Sequence, residues 1–375
     1  MSFGSRIYAE LRGDRAIWTI VILLGIISLL AVYSSTGTIA FKNGLGTQYY
    51  LQKHFLLLGT GLVITYFCYL MHYMKYSVAA PYMILLAVPM LVFTLAMGSS
   101  INEARRWISI PVLDITFQTS EFAKIALVTF VARTISSKQD YIKDFQSAFL
   151  PIIVPILVIC GLIAPADLST AALLFFVCVL LMFMGRVSVK YIWLLIFCGV
   201  VLFSVLVMLG EFFPDYIRVA TWKIRIDEFF NNEEGVYQVQ QAKIAIASGE
   251  FFGLGPGNSI ARNFLPAAYS DFIYAIICEE YGLLGGFAII FLYVMLFVRC
   301  VRLVVRSQKS FGALLALGMG LLIVTQALAN MAVSVHLVPV TGLTLPLMSM
   351  GGTSMLFTSV AAGMILSVSR YIEKI

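Results

Sequence analysis

Hydrophobic positions along the 375-residue chain fall in long unbroken runs, with no strict alternation and little amphipathic striping. Ten runs approach the roughly 20 residues that a helix needs to cross a bilayer core. They lie near 16–35, 54–72, 77–97, 118–136, 148–164, 168–185, 190–210, 271–298, 311–335 and 353–371. Continuous runs speak for spanning helices and against lipid-facing strands, which would alternate. The pattern predicts an all-α polytopic membrane protein with about ten transmembrane helices in one domain, 1–375, and a long extracytoplasmic loop, 211–270, between the seventh and eighth. The shortest break is "APAD": Pro165 ends the fifth helix, and Asp167 or Ser169 caps the sixth.

Composition agrees with the pattern. The chain is 61% hydrophobic and 12% charged, against roughly 45–50% and 25% in soluble domains. The net charge of +6 therefore has to be read loop by loop, and it does not argue for nucleic acid. Fifteen basic residues fall on one side: Arg6, Arg12, Arg15, Lys75, Arg133, Lys138, Lys143, Arg186, Lys190, Arg299, Arg302, Arg306, Lys309, Arg370 and Lys374. Short loops on the other side hold four, Lys42, Lys53, Arg105 and Arg106. The positive-inside rule then places both termini in the cytoplasm of a cytoplasmic (inner) membrane. The first apolar run is too long for a cleaved signal. The six cysteines lie in or beside apolar runs, so neither a disulfide nor a cysteine metal site is expected. The three histidines show no metal-ligand spacing, and no internal repeat supports a repeat-built transporter.

The polar residues with chemistry concentrate at the external end. Glu121 and Lys124 in the fourth helix are three apart and share a face. They read as a structural ion pair or as the lining of a polar cavity. In "FLPAAYSDFIYAIICEEYG", Asp271 opens the eighth helix, where the helix dipole favours a carboxylate and Ser270 is a competing cap. Helix geometry puts Glu279 about 80° round and about 12 Å deeper, and Glu280 about 180° away. The three acids thus do not form the paired carboxylates of a glycosidase. "GLGPGNS" lacks a P-loop ending and reads as a turn. "GVYQVQQAKIAIASG" reads as an amphipathic helix on the membrane surface, with Val236, Ile244 and Ile246 toward lipid and Gln238, Gln241 and Lys243 toward water. "LVPVTGLTLPLMSMGGTS", apolar but broken by Pro and Gly, suits irregular backbone dipping into the membrane.

Taken in order, these pieces resemble the SEDS family (shape, elongation, division and sporulation), the FtsW and RodA kind of peptidoglycan glycosyltransferase. The carriers are "ARRWISIPVLDITFQTSEFAK", "ADLSTA", "YQVQQAKIAIASGEFFGLGPGNS", "LPAAYSDFIYAIICEEYG" and "PVTGLTLPLMSMGGTS". "GNS" in place of a RodA-like "GTQ" favours the FtsW cell-division branch. The resemblance implies a polymerase of lipid II that releases undecaprenyl diphosphate. It implies Asp271 as general base and Lys124 as a second catalytic residue. Arg105, Arg106, Glu121, Gln238, Gln241 and Ser259 are then substrate-binding, and no dedicated metal is present, although Mg or Mn could accompany the substrate diphosphate. Implied partners are a class B penicillin-binding protein and other division proteins. Ala267, Tyr269, Ser270, Thr119 and Met350 depart from the family pattern, so Asp271 works here without the usual Glu and His neighbours. The rival readings are a lipid II flippase or other polyprenyl-lipid transporter, and a non-catalytic division scaffold.

Overall fold

The computed structural model describes residues 13–372 apart from 43, 45, 102–103, 111–114, 213–216, 232–236 and 267. Each of the ten apolar runs is a helix: α1 (Arg15–Ser35), α3 (Thr47–Leu70), α4 (Met74–Met97), α5 (Thr119–Ser137), α6 (Leu150–Ile163), α7 (Leu168–Met184), α8 (Val189–Phe212), α11 (Ile273–Arg306), α12 (Ser310–Ser334) and α13 (Thr353–Ile372). Short α2 (Gly37–Lys42), α9 (Val219–Asn231) and α10 (Tyr237–Ser248) lie between them. Among the described residues, eight helices are long and apolar enough to cross a membrane. The other two of the ten are α7, with 17 residues, and α5, which carries Glu121, Lys124 and Arg133.

Among the described residues, the regular structure is helical except for a small antiparallel sheet between α4 and α5. Its strands β1 (Ser99–Ile101), β2 (Ala104–Ile110) and β3 (Ile115–Gln118) stand in the order β1-β2-β3. Trp107 opposes Gln118, so the sheet ends where α5 begins. Apolar runs do not announce such short strands, and the sequence pattern gave no sign of them.

The core is built around α12, 89% of whose apolar stretch is buried, against 11% for α8. Hydrophobicity alone would not separate these two, because lipid and protein interior are equally apolar; small residues do, by letting backbones approach. Gly363 on α13 packs so closely on α3 that an added Cβ would lie 2.7 Å from the Thr65 carbonyl oxygen. At the same crossing the Thr65 hydroxyl donates to the Ser359 carbonyl at 3.0 Å.

Two expectations change. The eighth helix begins at Ile273, not at Asp271, and continues to Arg306. It is also broken: Gly282 has φ 66° and ψ −168°, a backbone that halts the helical ladder after Tyr281. And α10 does not lie free on a membrane surface. It buries Val239, Ala242 and Ala245, the two alanines against Phe272, Ala275 and Ile276, leaving Ile244 exposed, because small residues on that face fit α11 closely. Val236 lies outside the described residues.

A Gly363→Leu substitution is expected to force α3 and α13 apart and destabilise the bundle by about 1–3 kcal/mol or more. Thermal unfolding in detergent reads this as a lowered Tm; an unchanged Tm would refute the close crossing.

Candidate active site

The end of the bundle that carries the sheet, the α6–α7 turn, the segment between α8 and α11 and the α12–α13 loop gathers most of the polar residues singled out above. Asp167 caps α7, its Oδ1 accepting from the Thr170 amide at 3.1 Å. Its Oδ2 pairs with Arg106 Nη1 at 3.1 Å, and Arg106 Nε donates to the Ala166 carbonyl at 2.8 Å. The strand β2 is thereby locked onto the turn that "APAD" makes. Arg105 is on the same strand and is placed by its backbone alone.

Arg106 and Asp167 form one wall of a cavity of ≈570 Å³. Arg218 and Arg225 from the α9 region face it, and the α12–α13 loop, Val338 to Leu343, closes another side. The mouth is apolar: Phe176, Ile226 and Leu328 line the cavity and are also exposed. Burial first, then repulsion from Arg106 and Arg218, holds the Arg225 guanidinium below its usual range, with Asp167 and Asp271 opposing. Arg106, Arg218 and Arg225 thus bring three guanidiniums to one lining, groups whose chemistry suits an anion.

Asp271 lies beside this cavity rather than in its wall. It precedes α11 and does not cap it: the N-cap position is Phe272, with no side-chain cap bond. What fixes Asp271 is its own backbone. Asn330 Nδ2 donates to the Asp271 carbonyl at 2.7 Å and to the Leu343 carbonyl at 2.6 Å. Next to it, the Ser349 hydroxyl donates to the Ser270 carbonyl, and the Met350 amide donates to the Tyr269 carbonyl at 3.0 Å. The irregular α12–α13 loop and the entry to α11 are thus sewn together on either side of the carboxylate. The side chain accepts from the Ser270 hydroxyl at 2.8 Å. Burial raises its pKa above the ordinary 3.8, outweighing the Ser270 hydrogen bond and the attraction of Arg106 and Arg225. Gly342, with φ 70°, lies against it: an added Cβ would stand 3.8 Å from Asp271 Oδ2.

Lys124 is not brought to the arginine cavity. Its Nζ donates to Glu121 Oε1 at 2.9 Å and to Gln326 Oε1 at 2.9 Å, and only 3% of the residue is exposed. The void beside it is ≈10 Å³, too small for more than about one water. Its link to the site runs through Gln326, whose Nε2 donates to the Thr344 carbonyl at 3.0 Å. Gln326 and Asn330 are four residues apart on α12, so one helix face presents both carboxamides to the same loop.

Ser259 is also turned inward. Its hydroxyl donates to Glu279, which further accepts from the Ile260 amide at 3.0 Å and the Ala261 amide at 3.2 Å. Glu280 takes the Ser34 hydroxyl of α1. The two acids thus sit at the helix break and hold the loop that leads to Asp271. The loop in turn supplies what the break removes: the Leu254 and Gly255 amides donate to the Glu279 and Glu280 carbonyls at 2.9 and 3.0 Å, and the Leu283 amide to the Glu250 carbonyl at 3.0 Å. Gly253 lies against the Glu280 carbonyl so closely that any side chain would collide. Gln238 and Gln241 are half-buried on α10 and line none of these cavities. Among the described residues, no three His, Cys, Asp or Glu side chains converge as a metal-binding set.

Sequence reading missed Arg218, Arg225, Gln326 and Asn330. The signals were present. Arg218 and Arg225 are seven residues apart, one face of an amphipathic helix, and Gln326 and Asn330 are amides in an otherwise apolar span.

The fold and site define a polytopic membrane protein with an arginine-lined, apolar-mouthed cavity beside a desolvated carboxylate. The sequence family of FtsW, RodA and SpoVE, described as "Cell cycle protein", matches residues 14–374. A relative in Trichlorobacter lovleyi, "Probable peptidoglycan glycosyltransferase FtsW", is 32% identical over 364 residues, 95% of this chain and 93% of its own. Stage V sporulation protein E of Bacillus subtilis is 30% identical over 366 residues, 96% and 97% of the two chains. The fold is that of a chain solved for the structural coordination of polymerization and crosslinking by a peptidoglycan synthase complex, with a TM-score of 0.73 at 22% identity over 97% of this chain and 99% of that one. Rod shape determining protein RodA of Thermus thermophilus gives 0.68 at 21% identity, over 96% and 97%. The chain belongs to the SEDS family.

A raised native pKa means that the folded protein holds a proton on Asp271 that the unfolded chain has lost, so stability falls as pH rises from about 3.8 through the native value. Above its native pKa the ionised carboxylate destabilises the fold. Asp271→Asn is expected to match or exceed the wild-type Tm at pH 7, with the difference shrinking toward acid. A clearly lower Tm at pH 7 would refute this account of the carboxylate.

Proposed function

We propose that this protein is a peptidoglycan glycosyltransferase that polymerises lipid II during cell division. The observation that carries the reading is the pairing of Asp271, desolvated and held by its backbone, with an arginine-lined cavity that has an apolar mouth. That combination suits a substrate with a sugar to deprotonate, a diphosphate to release and a polyprenyl tail to keep in lipid. The basic-residue asymmetry supports cytoplasmic termini and an extracytoplasmic site.

In this mechanism the acceptor sugar 4-hydroxyl attacks the anomeric carbon of the lipid-linked growing strand. Asp271 takes the hydroxyl proton as the new C–O bond forms. The bond from the anomeric carbon to the diphosphate oxygen breaks, and undecaprenyl diphosphate leaves with the electron pair. One displacement inverts the anomeric centre and gives the β-linked glycan. A base whose pKa is raised toward the working pH takes the proton more effectively. Arg106, Arg218 and Arg225 stabilise the departing charge in poorly hydrated surroundings. Lys124 and Glu121 act from behind, holding Gln326 and through it the loop against Asp271. Any Mg or Mn ion would arrive on the diphosphate. Arg105, Gln238 and Gln241 remain candidates for sugar and peptide contacts outside the cavity. A class B penicillin-binding protein would cross-link the strands; the likeness to a chain from a peptidoglycan synthase complex supports such a partner.

Purified protein with its cognate transpeptidase and labelled lipid II is expected to make glycan polymer. The rate should fall on an acid limb whose pKa lies above the ordinary carboxylate range, because only ionised Asp271 is a base. Lipid II translocation in vesicles without any polymer would favour the transporter reading instead.

A further inference from the structure

A second polar cavity opens at the same end of the bundle and shares no residue with the arginine cavity. It encloses ≈490 Å³ between the end of α1, α2, the start of α3 and the loop 257–263. Its floor is a buried network that the proposed chemistry does not use. Glu280, 1% exposed, accepts from the Ser34 hydroxyl, and Arg262 Nη1 donates to the Ser34 carbonyl at 3.2 Å. Arg262 Nε and Nη2 donate to no described residue, and the guanidinium lines the cavity. Thr38 and Asn263, joined at 2.8 Å, form its polar side. Tyr33 and Phe41, 49% and 89% exposed, stand at its margin. Gly37 and Gly257 are the small residues of the lining, and a Cβ on either would meet nothing within 4 Å.

Aromatic faces beside hydroxyl and amide groups are what a sugar ring needs: apolar C–H faces stack, and hydroxyls find donors and acceptors. A guanidinium with unused N–H groups adds a carboxylate site. Ordering that guanidinium by a buried acid and serine is the kind of support a ligand contact requires, whereas an Arg serving only as a solubilising charge needs none. The loop that forms the cavity wall is also the one that Glu279 and Glu280 clamp, eight residues before Asp271.

We propose that this cavity is a subsite for the already polymerised glycan, holding a sugar unit of the growing strand with Arg262 on a carboxylate of its peptide stem. The assignment rests on the lipid II polymerase reading. A strand held there stays close to the reacting end between additions, so the cavity sets how many units are added before release.

Two measurements test this. Gel resolution of strands made from labelled lipid II should show Arg262→Ala shortening the mean length by a clearly larger factor than it lowers the initial rate, with Arg262→Lys recovering part of it. Separately, Asp271→Asn protein in detergent should bind a lipid-free peptidoglycan hexasaccharide with stem peptides, and adding Arg262→Ala should weaken that binding about tenfold, the loss of a charge-assisted contact. The binding arm stands even if no polymer forms, so it separates failure of this subsite from failure of the polymerase reading. Unchanged length distribution, or hexasaccharide binding indifferent to Arg262, with Tm preserved, would overturn the proposal.

Discussion

The constraint on which the site depends is that backbone freed from regular structure at a membrane edge must find partners within the protein. Asn330 answers it at the decisive place. Its amide takes the Asp271 and Leu343 carbonyls together, so the entry to α11 and the irregular α12–α13 loop share one anchor on the most buried helix. The side chain of Asp271 is left outside this bargain, half-buried and free of any direct ion pair among the described residues. A carboxylate tied to an arginine would have its pKa lowered and be the weaker base.

Two further devices serve the same end. Gln326, one turn before Asn330, holds the next carbonyl of the loop and is itself held by Lys124 and Glu121. On the other side, the break at Gly282 lets the glycine-rich loop pair with exposed helix backbone, while Glu279 gathers the amides of 260 and 261. Removing one member of such a buried network leaves the others unsatisfied, which is why its parts are better read as a unit than as separate contributions. The arginines stand apart from it: Arg106 is fixed by Asp167, and Arg225 sits on the amphipathic helix that covers the cavity.

The spanning helices were legible in the sequence because lipid demands unbroken apolar runs, and the "APAD" break was legible because Asp167 is a strong cap. The break in α11 was not: Gly282 sits inside an apolar stretch whose composition continues through it, and only the packed loop reveals that the helix stops. The geometry of the three acids was misled by the start of the helix: angles counted along one helix do not apply to Asp271, which precedes Ile273. The acids are separate as expected, but Glu279 and Glu280 serve the loop. Lys124 was legible as an ion-paired residue and not as a neighbour of Gln326, because pairing across 202 residues leaves no local trace. Arg218 and Arg225 were overlooked because the stretch before "GVYQVQQAKIAIASG" reads as a loop, although it holds α9.

The central claim is that Asp271 takes the acceptor proton. Its most direct measurement is single-turnover coupling of lipid II by the wild-type protein and by Asp271→Asn, each with its transpeptidase partner and each shown to bind lipid II equally. The account predicts that the Asn variant binds and does not couple. Coupling at the wild-type rate by a folded Asn variant would contradict it.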